Sequence, residues 1–302
     1  MAGMSRNAAL FLVMCLVWGL TWWPVKVGVA HVPPIFLAAA RFILAGALML
    51  AWAGRDAANV PRSARPRLVA TGLLVNTGNY ALLFWGIARA PTGLSAIVNF
   101  ATIPVFSLLA SRWLEGEPIA RRHVAAIALG TLGLALLFAT RAWGPPGSAP
   151  AGPAELWGLA AIALGTLLYC VGAVLSRPIA TTMPVLTLAG WQTLIGGVGL
   201  SILSLALEPV AAGHFRELAT WPTLPALAFL VVAGSLAGFT IYMRLLRDWG
   251  AFRAGLYAFV SPAIAVGVGV VVLNERFGAA EALGAVLMFG AAAIALRKGP
   301  SS

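Results

Sequence analysis

Charge is scarce in this chain, and acid is scarcest. Nine of its 302 residues are Asp or Glu, and every one lies in a loop or within about a turn of the end of an apolar run. Only 10% of the residues are charged, against about 25% in soluble domains, too few to cover a water-facing surface. That excludes a soluble globular protein. The lack of a carboxylate at mid-run excludes the buried acid relay common in proton- and sodium-driven carriers. The only cysteines, Cys15 and Cys170, both sit in apolar runs, which excludes a disulfide framework and a thiolate metal site. The three histidines lie at run boundaries or in loops. No paired histidines at metal spacing, nucleophile elbow or phosphate-cradling loop is present. No catalytic residue, metal or cofactor is therefore expected, and the chain is not read as an enzyme.

What remains is hydrophobic: 61% of the residues, with 33 glycines and 19 prolines that membrane helices tolerate. A bilayer core of ~30 Å needs about twenty helical residues. Ten runs meet that length: 8–29, 35–54, 68–87, 94–113, 123–140, 156–176, 185–207, 223–243, 254–273 and 279–296. The first is too long for a signal sequence and carries Lys26, so it reads as an uncleaved span. The formal charge of +11 comes from basic residues spread over short loops, which points to membrane orientation and away from nucleic acid. With the N-terminus inside, fourteen of the twenty Lys and Arg fall on the cytoplasmic side and five outside, leaving Arg41 within a span. Both termini are therefore expected in the cytoplasm.

The chain repeats itself. Pro104 and Glu117 recur at Pro262 and Glu275, 158 positions on, together with Phe84 at Tyr242 and Asn99 at Tyr257. In the first two runs of each half the offset is 151: Trp18 falls on Tyr169, Lys26 on Arg177 and Arg41 on Gln192. An enlarged loop around 208–222 accounts for the change of offset. Five runs per copy, an odd number, insert the second copy upside down. The fold expected is all-α and polytopic, ten transmembrane helices forming an inverted 5+5 repeat around a central cavity. Its parts are a first repeat over 1–140, a linker over 141–154 and a second repeat over 155–302. Inverted repeats mark secondary transporters, with the substrate held at the interface between the copies.

Candidate binding residues are the polar and aromatic side chains within the runs. Trp18, Trp22 and Lys26, four apart, share one helical face. That face is a cavity wall, or Lys26 snorkels to the headgroups. Arg41 lies ~9 Å inside its run at 1.5 Å per residue, and such residues face a polar interior. It either anchors a substrate's anionic group, as Lys26 could, or ties helix ends together. Asn79 and Tyr80 with Asn76, and Asn99 with Ser95 and Thr102, line inward faces as cavity wall or interhelical glue. Asn99 and Tyr257 are expected to face one another near the midplane. Tyr169 and Gln192 complete the set with Trp191 and Tyr242. Pro104 and Pro262, each in mid-run, are candidate hinges.

Trp18-Gly19 with Lys26, Arg41, and the duplicated proline followed by glutamate resemble the drug/metabolite transporter superfamily in its ten-helix EamA-type branch. The resemblance covers essentially the whole chain. It implies a central cavity between two four-helix groups, with the fifth and tenth helices peripheral. It also implies export across a bacterial inner membrane, and within the family the chain is similar to aromatic amino-acid exporters. Tyr169-Cys170 in place of a second Trp-Gly pair departs from that pattern. The partners implied are a small-molecule substrate and the lipid bilayer, with the protein as a monomer. Alternatives are a multidrug, sugar-phosphate or nucleotide-sugar carrier of the same superfamily and, from another class, an intramembrane enzyme.

Overall fold

The computed structural model describes residues 2–116, 121–143, 152–242, 244–245, 248, 257–275 and 277–296. Helix α1 runs over Ala2–Leu20, breaks at Thr21 and resumes over Trp22–Val29. Then come α2 (Pro34–Ala53), α3 (Arg65–Gly72 continuing into Asn79–Ile87), α4 (Thr92–Glu115) and α5 (Arg121–Trp143). The second half holds α6 (Pro153–Ala180), α7 (Val185–Leu207), α8 (opening at Thr223–Phe229), α9 (Tyr257–Val272) and α10 (Ala279–Leu296). A short helix, Ala212–Glu217, occupies the enlarged loop between α7 and α8. The helix of α5 passes the expected boundary at 140, so the linker is shorter than read. The described residues contain no strand.

Seven helical segments are long and apolar enough to cross a membrane: Arg6–Val29, Pro34–Ala58, Arg62–Ile87, Thr92–Glu115, Pro153–Ala180, Val185–Leu207 and Thr223–Tyr242. Ile127–Leu136, Val260–Val272 and Ala282–Ala291 are shorter apolar helices among the described residues. Large side chains such as Leu12, Trp52, Ile202 and Leu205 project outward uncovered, as suits a surface whose solvent is hydrocarbon. Lipid tails are as apolar as leucine, so close packing holds such helices together.

That packing has an internal two-fold pattern. Pro33 and Pro184, 151 apart, cap α2 and α7 with the same backbone, φ −54 ψ 137 and φ −55 ψ 137. The helices cross antiparallel and almost without side chains between them. A Cβ on Gly46 would lie 2.6 Å from the Leu194 nitrogen, and one on Gly197 would lie 2.7 Å from the Ile43 nitrogen. Shifting residue numbers by 151 turns the first contact into the second. The crossing therefore pairs with itself.

A second device is duplicated. Within α3 the backbone widens into a π-helix over Leu73–Gly78, and within α8 it does so over Leu230–Ala237. Under the offset of 158 the first falls within the second. The first presents Asn76 and Thr77, whose side chains donate to the Gln192 and Gly196 carbonyls of α7 at 3.0 Å each. The second presents its Gly234 carbonyl to the Trp18 indole of α1 at 3.0 Å, and Ser235 to Arg41 of α2. A π-turn frees backbone groups and marks functional segments more often than chance. The sequence pattern carries no sign of it, because the apolar run continues unbroken.

Candidate functional site

The four tyrosines of the chain come from four different helices: Tyr80 on α3, packed on Phe42 and Phe84; Tyr169 on α6, packed against Ala110, Cys170 and Val174; and Tyr242 on α8 and Tyr257 on α9, which touch one another. Tyr257 is the hub. Its ring lies 4.5 Å from Trp18, edge-on, 5.8 Å from Tyr242 and 6.0 Å from Phe100. Trp18 also touches Tyr242 at 5.5 Å. These are favourable offset and edge-to-face spacings. Each of the four tyrosines is half-buried even though it sits deep among helices. Trp22, 5% exposed, and Phe100, 9% exposed, pack at 5.8 Å beside this group.

Arg41 stands at the edge of this group. Its guanidinium carbon lies 5.2 Å from the Phe42 ring centre and 5.8 Å from that of Tyr80. Its Nε donates to the Ser235 hydroxyl at 3.4 Å, and that hydroxyl donates onward to the Leu230 carbonyl. The side chain is only 8% exposed, and no ion pair to it is formed among the described residues. Among the described residues it donates to no backbone carbonyl, and its one bond joins α2 to α8.

The other predicted residues divide. Asn99 donates to Thr166 of α6 at 3.0 Å, and Tyr257 packs edge-on at 6.0 Å against Phe100, the next residue along α4. Asn79, buried on α3, leaves its Oδ1 without a donor where α3 approaches Gly165 of α6. Gln192 is apart from the tyrosines: its amide donates to Thr71 at 2.8 Å and Ser176 at 2.9 Å, tying α3, α6 and α7. Trp191 likewise bonds the Ala57 carbonyl at 2.9 Å. Pro104 and Pro262 lie inside α4 and α9, and both helices continue through them. Glu117 falls outside the described residues.

Lys26 is placed differently from both readings. Its ammonium donates to the Ile87 and Ala90 carbonyls at 2.8 Å each, at the end of α3. A cation satisfies the orphan carbonyls of a helix C-terminus and complements its dipole. Beside it Glu275, at the end of α9, accepts from the Thr92 and Gly93 amides at 2.5 and 3.0 Å, the free donors that open α4. Glu208 does the same for Ile35 and Phe36 at the start of α2, at 2.8 and 2.9 Å. These three ties share the face on which α1 ends. The opposite face joins Asn7 to Asp248 at 3.3 Å and Arg177 to Glu115. Sequence reading placed these acids at helix ends but missed their task, because a cap from a distant helix leaves no local pattern. A groove of about 860 Å³ between α4 and α6, lined by Leu109, Trp113 and Leu167, holds none of the predicted residues.

The sequence pattern of the EamA-like transporter family matches residues 6–139 and 156–297. The uncharacterized inner membrane transporter YedA of Escherichia coli (strain K12) is 31% identical over 296 residues, covering 96% of this chain and 90% of that one. A probable amino-acid metabolite efflux pump of Salmonella typhimurium is 27% identical over 293 residues, covering 94% and 93%. Protein PecM of Dickeya dadantii is 28% identical over 279 residues, covering 91% and 87%. A solved crystal structure superposes with a TM-score of 0.62 at 23% identity over 96% of each chain, which shows a shared fold.

Proposed function

Because the chain belongs to the EamA-like transporter family, we propose that it is a bacterial inner-membrane carrier exporting neutral aromatic amino acids, or metabolites of similar size, by alternating access. The observation that carries this reading is the mutual packing of Trp18, Tyr242 and Tyr257, all partly buried, in the interior, together with Tyr80 against the Arg41 guanidinium. Aromatic walls bury a ring, and a guanidinium receives a carboxylate in a bidentate fork. Trp18, Trp22, Tyr80, Asn79, Asn99, Tyr169, Gln192 and Tyr257 belong to the chamber and its supports, and Arg41 is the anionic-group anchor. Lys26, already bonded to two carbonyls, serves to hold a helix end.

The two halves, α1–α5 and α6–α10, rock about the α2–α7 crossing, whose self-paired contacts supply a pivot. Pro104 and Pro262 give α4 and α9 the freedom to bend. The ties at Lys26, Glu208 and Glu275 close the periplasmic face, with both termini in the cytoplasm. With no acid in mid-membrane, exchange or facilitated flow is the mode of transport. The amino-acid efflux pump among the relatives, at 27% identity, supports this substrate class. Purified protein in liposomes loaded with unlabelled phenylalanine is expected to accumulate labelled phenylalanine by counterflow. No counterflow with any of the twenty amino acids overturns the substrate assignment.

A further inference from the structure

We infer that the central site takes an aromatic monocarboxylate, and that the amine of an amino acid is dispensable to it. This rests on the carrier reading and narrows its substrate. Arg41 carries the argument. Its guanidinium has five N–H donors, of which Nε alone has a hydrogen-bond partner among the described residues, the Ser235 hydroxyl. The residue is more than nine-tenths buried. Its two terminal nitrogens have neither an acceptor nor a carboxylate within ion-pair distance among the described residues. A buried cation left in that state is costly unless a ligand completes it. The missing group is planar and anionic and offers two acceptors, and a carboxylate meets all three demands.

The surrounding side chains specify the rest of the ligand. Tyr80 lies under the guanidinium, and Trp18, Tyr242 and Tyr257 supply an aromatic wall within the same interior. An aryl ring attached to a carboxylate through a short chain fills both parts. No carboxylate awaits an ammonium there: no Asp or Glu lies more than about a turn inside an apolar run, and the orphan acceptor Asn79 Oδ1 is buried where α3 meets Gly165 of α6, so a ligand's amine would enter without a counter-charge. Aromatic rings can hold a cation, but Arg41 already lies over Phe42 and Tyr80. A second positive charge in the same low-dielectric chamber is repelled. The site therefore reads the acid end of an amino acid and tolerates the other.

The test is binding of radiolabelled 3-phenylpropionate to the purified full-length protein in detergent, with phenylalanine and phenethylamine as competitors. We expect saturable binding, displacement by phenylalanine only at concentrations about tenfold higher, since its amine is desolvated unpaired, and no displacement by phenethylamine. Arg41→Gln abolishes binding. Arg41→Lys keeps the charge but loses the fork, weakens binding about tenfold, and guards against a Gln variant that fails to fold. Absence of saturable binding, displacement by phenethylamine, or undiminished affinity in Arg41→Lys overturns the inference. Amino-acid counterflow by the unaltered protein, if observed, leaves the carrier reading standing in each of those cases.

Discussion

Gly46→Ala is expected to lower stability by about 2 kcal/mol, and Gly197→Ala by the same amount, within the usual range for overpacking a tight contact. The added methyl at Gly46 meets the Leu194 backbone at 2.6 Å and that at Gly197 meets the Ile43 backbone at 2.7 Å. Backbone cannot turn aside as a side chain does, so α2 and α7 must separate. A helical alanine is otherwise better than glycine by up to about 1 kcal/mol, and the clash has to exceed that gain. Because both methyls push apart one crossing, the double variant should cost less than the sum of the two. Gly267, with open space where a Cβ would go, is the control, and Gly267→Ala should be neutral or stabilising. Thermal denaturation followed by size-exclusion chromatography reads all four. Unequal losses at 46 and 197 would argue against the two-fold pairing.

Glu275→Gln is expected to unlock the start of α4. The carboxylate accepts two backbone amides at once, and hydrogen bonds to an ionised acceptor contribute about 1.5–3 kcal/mol. A glutamine oxygen replaces one of them, while its NH₂ turns a donor toward the other. Hydrogen–deuterium exchange in a peptide spanning 88–97 should therefore rise about tenfold to a hundredfold. Glu208→Gln should leave that peptide unchanged and raise exchange over 33–37, where its own capped amides lie. Equal exchange in Glu275→Gln and the unaltered protein would remove Glu275 from the closure of that face.

The helices themselves were legible in the sequence, since apolar length and the flanking prolines and basic residues depend on local chain. The internal duplication was legible too, and it brings together what no local pattern could: Phe84 falls on Tyr242, which stands in the interior cluster with Trp18 and Tyr257. Less could be read wherever a side chain's partner comes from another helix. Lys26 looked like a cavity wall or a snorkelling residue because the Ile87 and Ala90 carbonyls it serves are sixty residues away. Gln192 looked like a site residue because a polar side chain in an apolar run is equally a ligand and a tie, and only Thr71 and Ser176 decide between them. The π-turns were invisible because they add a residue to a helix without changing its composition. Arg41 stood out by its cost in a membrane, and the structure adds that two of its nitrogens lack a partner among the described residues.

The account depends on a wet, substrate-sized chamber between the two halves, lined by Tyr257. The most direct measurement is labelling of Tyr257→Cys by a membrane-impermeant thiol reagent, in a Cys15→Ala, Cys170→Ala background, applied to vesicles of each orientation. The account predicts labelling from the cytoplasmic face, with labelling from the periplasmic face appearing once Glu275→Gln is added. A cysteine at 257 that reacts from neither face, in either background, would mean that the aromatic cluster is a dry core, and would contradict the account.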